Sequence, residues 1–153
     1  MLAQLAQMGM GFADALMVAR VGALELAAVA TGLALWHPLF LTVTGLLMAE
    51  SALIARLVGE GRAPAAAGLR RQARVVALVL SVPALLLLHR ADAALLALGV
   101  DAAIVPVAQG YLDALGWGVP GAFWYLAERY ATEGLGHTRP VLVMGLAALA
   151  LHV

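Results

Sequence analysis

The charges of this chain are crowded into a few short segments, and the stretches between them are almost wholly apolar. Five apolar blocks result: residues 2–19, 26–55, 69–88, 102–127 and 141–153. A hydrophobic run of about 18 or more residues is long enough, as a helix rising about 1.5 Å per residue, to cross the hydrocarbon core of a bilayer. The first block has 18 residues and just meets that length. The second is longer than one crossing needs and holds Pro38, so a kinked or tilted helix is expected. In the third, the apolar core is only residues 75–88, and spanning length is reached by including 69–74, whose arginines can snorkel to the interface. The fourth carries Pro106 and Pro120. The fifth has 13 residues, too few to cross about 30 Å.

Composition agrees with lipid as the solvent. The chain is 64% hydrophobic and 12% charged, against about 45–50% and about 25% in soluble domains. The blocks are rich in Ala and Leu, which favour helix, and none shows the alternation of a membrane barrel. The expected fold class is all-α: a polytopic transmembrane bundle of about four helices plus the start of a fifth. A soluble helical bundle is disfavoured by the scarcity of polar faces.

The connections set a topology. Arg56, Arg62, Arg70, Arg71 and Arg74 are five of the nine basic residues and fall between the second block and the apolar core of the third, against one acid, Glu60. The positive-inside rule puts this connection in the cytoplasm, and with it the N-terminus. The block edges at both ends of the sequence look abrupt, as in a piece of a longer bundle.

Formal net charge is zero, so no bulk field draws nucleic acid. The absence of cysteine rules out disulfides, thiolate metal sites and a Cys nucleophile. No G-x-S-x-G, H-E-x-x-H or P-loop pattern occurs, so no enzyme is expected. Gly9 and Gly11 lack the third glycine and preceding strand of a dinucleotide fingerprint; close helix packing is the ordinary role of such residues in a membrane helix. The four histidines lie in separate segments without ligand spacing, and no metal or other cofactor is expected.

Asp14 is the strongest functional candidate. It is a carboxylate in a block whose other polar side chains are Gln4 and Gln7, and ionisable groups within a membrane usually line a bundle interior or an ion path. The competing reading is a buried acid that only holds two helices together. Tyr111 and Asp113 lie a few turns into the fourth block, at a depth matching Asp14; the Tyr111 hydroxyl can donate to a carboxylate, and Asp113 can face a wet interior. Glu50, one turn from the end of its block and near Arg56, reads as a solvated interfacial acid. Trp36, Trp117 and Trp124 read as packing or lipid-facing rings. Arg129 and Glu133 are spaced i,i+4 and should pair at the end of the fourth helix.

Several segments resemble one family. Gln7-Met8-Gly9-Met10-Gly11-Phe12-Ala13-Asp14 resembles the first helix of the multidrug and toxic compound extrusion (MATE) transporters, in their NorM-like branch. Gly22 to Ala30, Gly59-Glu60-Gly61-Arg62 and Glu133 to Pro140 resemble that family's entry into helix two, its first cytoplasmic loop and its helix 4–5 connection, in the same order. The resemblance implies twelve helices in two six-helix lobes that exchange H+ or Na+ for cationic drugs across the bacterial inner membrane. Residues 1–153 would then be part of the N-terminal lobe. Asp14, and a tyrosine mapping to Tyr111, would take part in cation coupling; Gln7 and Asp113 would be possible cavity-lining residues. Partners would be membrane lipid, a cationic small molecule and the remaining helices or lobe. Two positions depart from the family: Arg56 stands where Gln is frequent, and no proline lies between Leu2 and Arg20 to bend the first helix. The alternative is a non-transporting membrane module that assembles with a partner subunit.

Overall fold

The computed structural model describes residue 20, residues 22–136 and residue 143. The first block, with Asp14 and Gln7, and the fifth apart from residue 143 lie outside the described residues. Within them the chain is all helix, without strands: α1 Ala23–Gly59, α2 Ala63–His89, the short α3 Ala91–Ala97, and α4 Val105–Gly134. α1, α2 and α4 all pack against one another, α4 most extensively. At 37, 27 and 30 residues, the three long helices measure about 55, 40 and 45 Å, each more than a bilayer core requires. By length and composition, α1 and α2 are each able to cross a membrane.

The observed helices overrun the predicted blocks for local reasons. α2 starts at Ala63, six residues before the third block, because Pro64 occupies the first turn, where its missing N–H is no loss, and Ala65–Ala67 follow. The arginine-rich connection is therefore not a loop. Arg56 belongs to α1, Arg70, Arg71 and Arg74 belong to α2, and the turn is only residues 60–62. That turn closes on Gly61 at φ 72°, with Gly61 N–H donating to Val58 O at 3.0 Å and Arg62 N–H to Leu57 O at 2.9 Å. This is a Schellman closure, which needs the left-handed residue that glycine supplies most easily. α3, in a segment read as a connection, ends the same way at Gly99. α4 starts at Val105, three residues later than the fourth block, and runs on to Gly134.

Hydroxyl groups in these helices fold back on their own backbone. Thr31 donates to Ala27 O, Thr42 to Pro38 O and Ser81 to Leu78 O, at 2.8, 2.8 and 2.6 Å. A helix in lipid must satisfy its polar groups internally, and this does so. Large apolar side chains remain exposed on the outer faces, among them Leu41, Leu46 and Met48 of α1 and Val75, Val79 and Val82 of α2. The inner face of α2 is the opposite: it turns inward Ala66, Ala73, Ala77, Ser81 and Ala84, small residues that allow close helix approach. Apolar faces outside a closely packed apolar interior are the pattern of a membrane helix bundle, as the sequence predicts.

Candidate functional site

Tyr111 lies on the α1 side of α4. A Cβ placed on Gly32 of α1 would stand 2.7 Å from Tyr111 Cδ1, so the ring covers the space that glycine leaves. Asp113 follows two residues later, about 200° further around the helix. It is half-buried and accepts a hydrogen bond from Gln109 Nε2 at 2.7 Å. The same Nε2 donates to Leu88 O, in the last turn of α2, at 3.0 Å. Tyr111 and Asp113 thus share a level but not a face: one meets α1, the other is tied towards α2.

The aromatic residues divide in the same way. Trp36 stacks on the buried Phe123 at 6.2 Å and tilts against Phe40 at 5.3 Å, as core packing. Trp117 is 77% exposed and meets the His89 ring edge-on at 5.8 Å. Trp124 takes the Arg74 guanidinium over its ring at 5.8 Å. No group of three or more potential metal-ligating side chains occurs among the described residues.

The arginine-rich end holds what sequence reasoning missed. Glu128 of α4 accepts from Arg70 of α2, whose Nε is 3.0 Å from Oε2 and whose Nη2 is closer still. Its other oxygen is 2.6 Å from Arg74 Nε. Two arginines spaced i,i+4 on one helix therefore clamp one carboxylate on another. The pairing of Arg129 with Glu133, at 2.9 Å, is the one expected from their spacing.

Glu50 corrects the sequence reading. It is not a solvated interfacial acid: it is 5% exposed, both oxygens are buried, and neither has a hydrogen-bond partner among the described residues. Arg56 does not serve it, being paired with Glu60 at 2.8 Å. The signal was present in the spacing. Val43, Leu47, Glu50 and Ile54 repeat at intervals of four, three and four, which is one inward seam of a packed helix, and all four are buried.

A family model described as MatE matches residues 1–153. The chain belongs to the MatE family. The proteins named multidrug resistance protein MdtK of Yersinia pestis and of Yersinia pseudotuberculosis are each 37% identical to it over 153 residues, covering 99% of this chain. This MatE chain spans about a third, 34%, of the length of those relatives. Membership accounts for the exposed apolar faces of α1 and α2: a MatE protein is a multi-pass membrane bundle. Two polar groupings lie towards opposite ends of α4: Tyr111, Gln109 and Asp113 near its start, and the Glu128 clamp, with Glu50, towards the other.

Proposed function

We propose that this chain is part of an antiporter that expels cationic drugs or other xenobiotics across the bacterial inner membrane in exchange for H+ or Na+. The observation that carries the reading is the family match over the whole chain, with relatives named for multidrug resistance. In this reading residues 1–153 belong to the N-terminal lobe, the N-terminus and the arginine-rich end face the cytoplasm, and the protein acts as a transporter, not an enzyme.

Asp14 is the coupling acid. An ion or proton that binds it removes its charge, and so favours whichever of the outward- and inward-facing states buries that position. Tyr111, held against Gly32, offers a hydroxyl at the same depth; Gln7 and Asp113 line the path taken by the cationic substrate. Binding energy that differs between the two states is what drives the exchange.

The test is efflux from energised cells carrying the full-length parent protein, with ethidium as probe. Asp14→Asn is expected to abolish efflux, and Tyr111→Phe to weaken it, while membrane levels match the parent. Undiminished efflux by Asp14→Asn removes that residue from the mechanism. Everted vesicles given a proton or a sodium gradient in turn identify the coupling ion.

A further inference from the structure

Glu50 has no part in the exchange just described. It lies at the arginine-rich end of the bundle, away from Tyr111, on the inward seam of α1. The charged groups that act on it are Arg70 and Arg74 from α2 and Glu128 from α4. Neither guanidinium serves it with a hydrogen bond. Arg70 is engaged at one oxygen of Glu128 and Arg74 stands against the other, so Glu128 draws both cations. Nearby on α1 and α4, Arg56 is paired with Glu60, and Arg129 with Glu133.

A bare carboxylate in this position is unfavourable, since it has lost water and gained no donor among the described residues. Three things can compensate it: a donor, a metal cation or a proton. The described residues supply no donor. Among the described residues, a metal cation would find two oxygens, no cluster of acidic or imidazole ligands, and two guanidiniums that repel it. A proton needs no coordination shell and cancels the charge outright.

We propose that Glu50 is a proton-binding site at the arginine-rich end of the bundle. It is loaded while Glu128 holds Arg70 and Arg74, and emptied when one of those guanidiniums is released to it. In the loaded form, two guanidiniums and one carboxylate leave the cluster with one positive charge. On release the Glu50 O–H bond breaks, the proton passes to water at that end, and the new carboxylate pairs with the freed arginine. The cluster is then two cations and two anions. The site does not rest on the transport reading, and its test does not measure transport.

The full chain is purified in detergent and treated with dicyclohexylcarbodiimide, which reacts with protonated carboxyl groups in apolar surroundings and marks them as stable acylureas. Peptide mapping by mass spectrometry then reads each acid. Glu50, buried and unpaired among the described residues, is expected to be labelled more than the exposed Glu60, and to lose labelling as pH rises. Glu128→Gln leaves both guanidiniums available to Glu50, and should reduce its labelling by about tenfold or more. Unchanged labelling of Glu50 in that variant overturns the proposal.

A second measurement is independent of reagent access. Resistance to unfolding by sodium dodecyl sulfate is compared between the unsubstituted chain and Glu50→Gln across neutral pH. A proton bound in the folded state and lost in the unfolded state makes stability fall as pH rises. The unsubstituted chain should show that fall and Glu50→Gln, which mimics the loaded form, should lack it. Superimposed profiles overturn the proposal whatever the labelling.

Discussion

Replacing Gly134 by alanine should destabilise this bundle, although alanine is the better helix former. Gly134 is buried in the last turn of α4, against α1. A Cβ there would lie 2.6 Å from the backbone oxygen of Ser51, 2.9 Å from Ile54 Cβ and 3.0 Å from Ile54 Cγ2. Ordinary carbon–oxygen contact begins at about 3.3 Å, so the helices must part by roughly 0.7 Å. The obstacle is backbone, which no rotamer change relieves. Alanine's helix propensity favours the substitution by about 1 kcal/mol, and overpacking of a tight site opposes it by about 1–3 kcal/mol. The expected net effect is a loss of about 1 kcal/mol, rising to about 2 where α1 cannot yield. Gly110→Ala is the internal control. It lies on the same helix, exposed, with nothing within 4 Å of its Cβ, and should gain up to about 1 kcal/mol. Both variants are unfolded with sodium dodecyl sulfate in mixed micelles and followed by tryptophan fluorescence, to which Trp36, stacked on Phe123, contributes. Equal shifts for the two variants, or a more stable Gly134→Ala, would refute the packing argument.

Gly32→Val should push the Tyr111 ring out of its place and impair ethidium efflux by the full-length protein while membrane insertion persists; unaltered efflux separates Tyr111 from the function. Gln109→Leu strips Leu88 O and Asp113 of a shared donor and should cost about 1–3 kcal/mol in the same unfolding assay, whereas Asp113→Asn, which keeps an acceptor for Gln109, should change little. Glu128→Gln removes a half-buried double ion pair and should cost about 1 kcal/mol, with less difference from the parent at high salt.

What the sequence made legible was local. Long apolar runs gave the helices of α1, α2 and α4, since spanning length is a property of one segment. The Arg129–Glu133 pair was legible because i,i+4 neighbours on a helix meet wherever that helix goes. The clamp on Glu128 joins residues 58 and 54 positions apart, and a single sequence carries no record of which helix faces are in contact. The start of α2 was hidden in residues 63–68, where Pro64 and Gly68 look like a break although proline is well placed in the first turn of a helix. Glu50 was misread because its distance from the end of α1 was weighed and its angular position was not. Asp14 and Gln7 keep the roles proposed for them on sequence and family grounds alone.

The two polar ties between α2 and α4 have a mechanical consequence. One joins Gln109 to Leu88 O, the other joins Glu128 to Arg70 and Arg74. Their anchors on α4 are 19 residues apart, about 28 Å along the axis. A rod tied to its neighbour at two well-separated points resists pivoting about either one for as long as both ties hold. Against α1, by contrast, α4 rests on glycine saddles at Gly32 and Gly134. The α1 face of α4 is thus held by close backbone approach and ring stacking, and the α2 face by polar ties at its two ends.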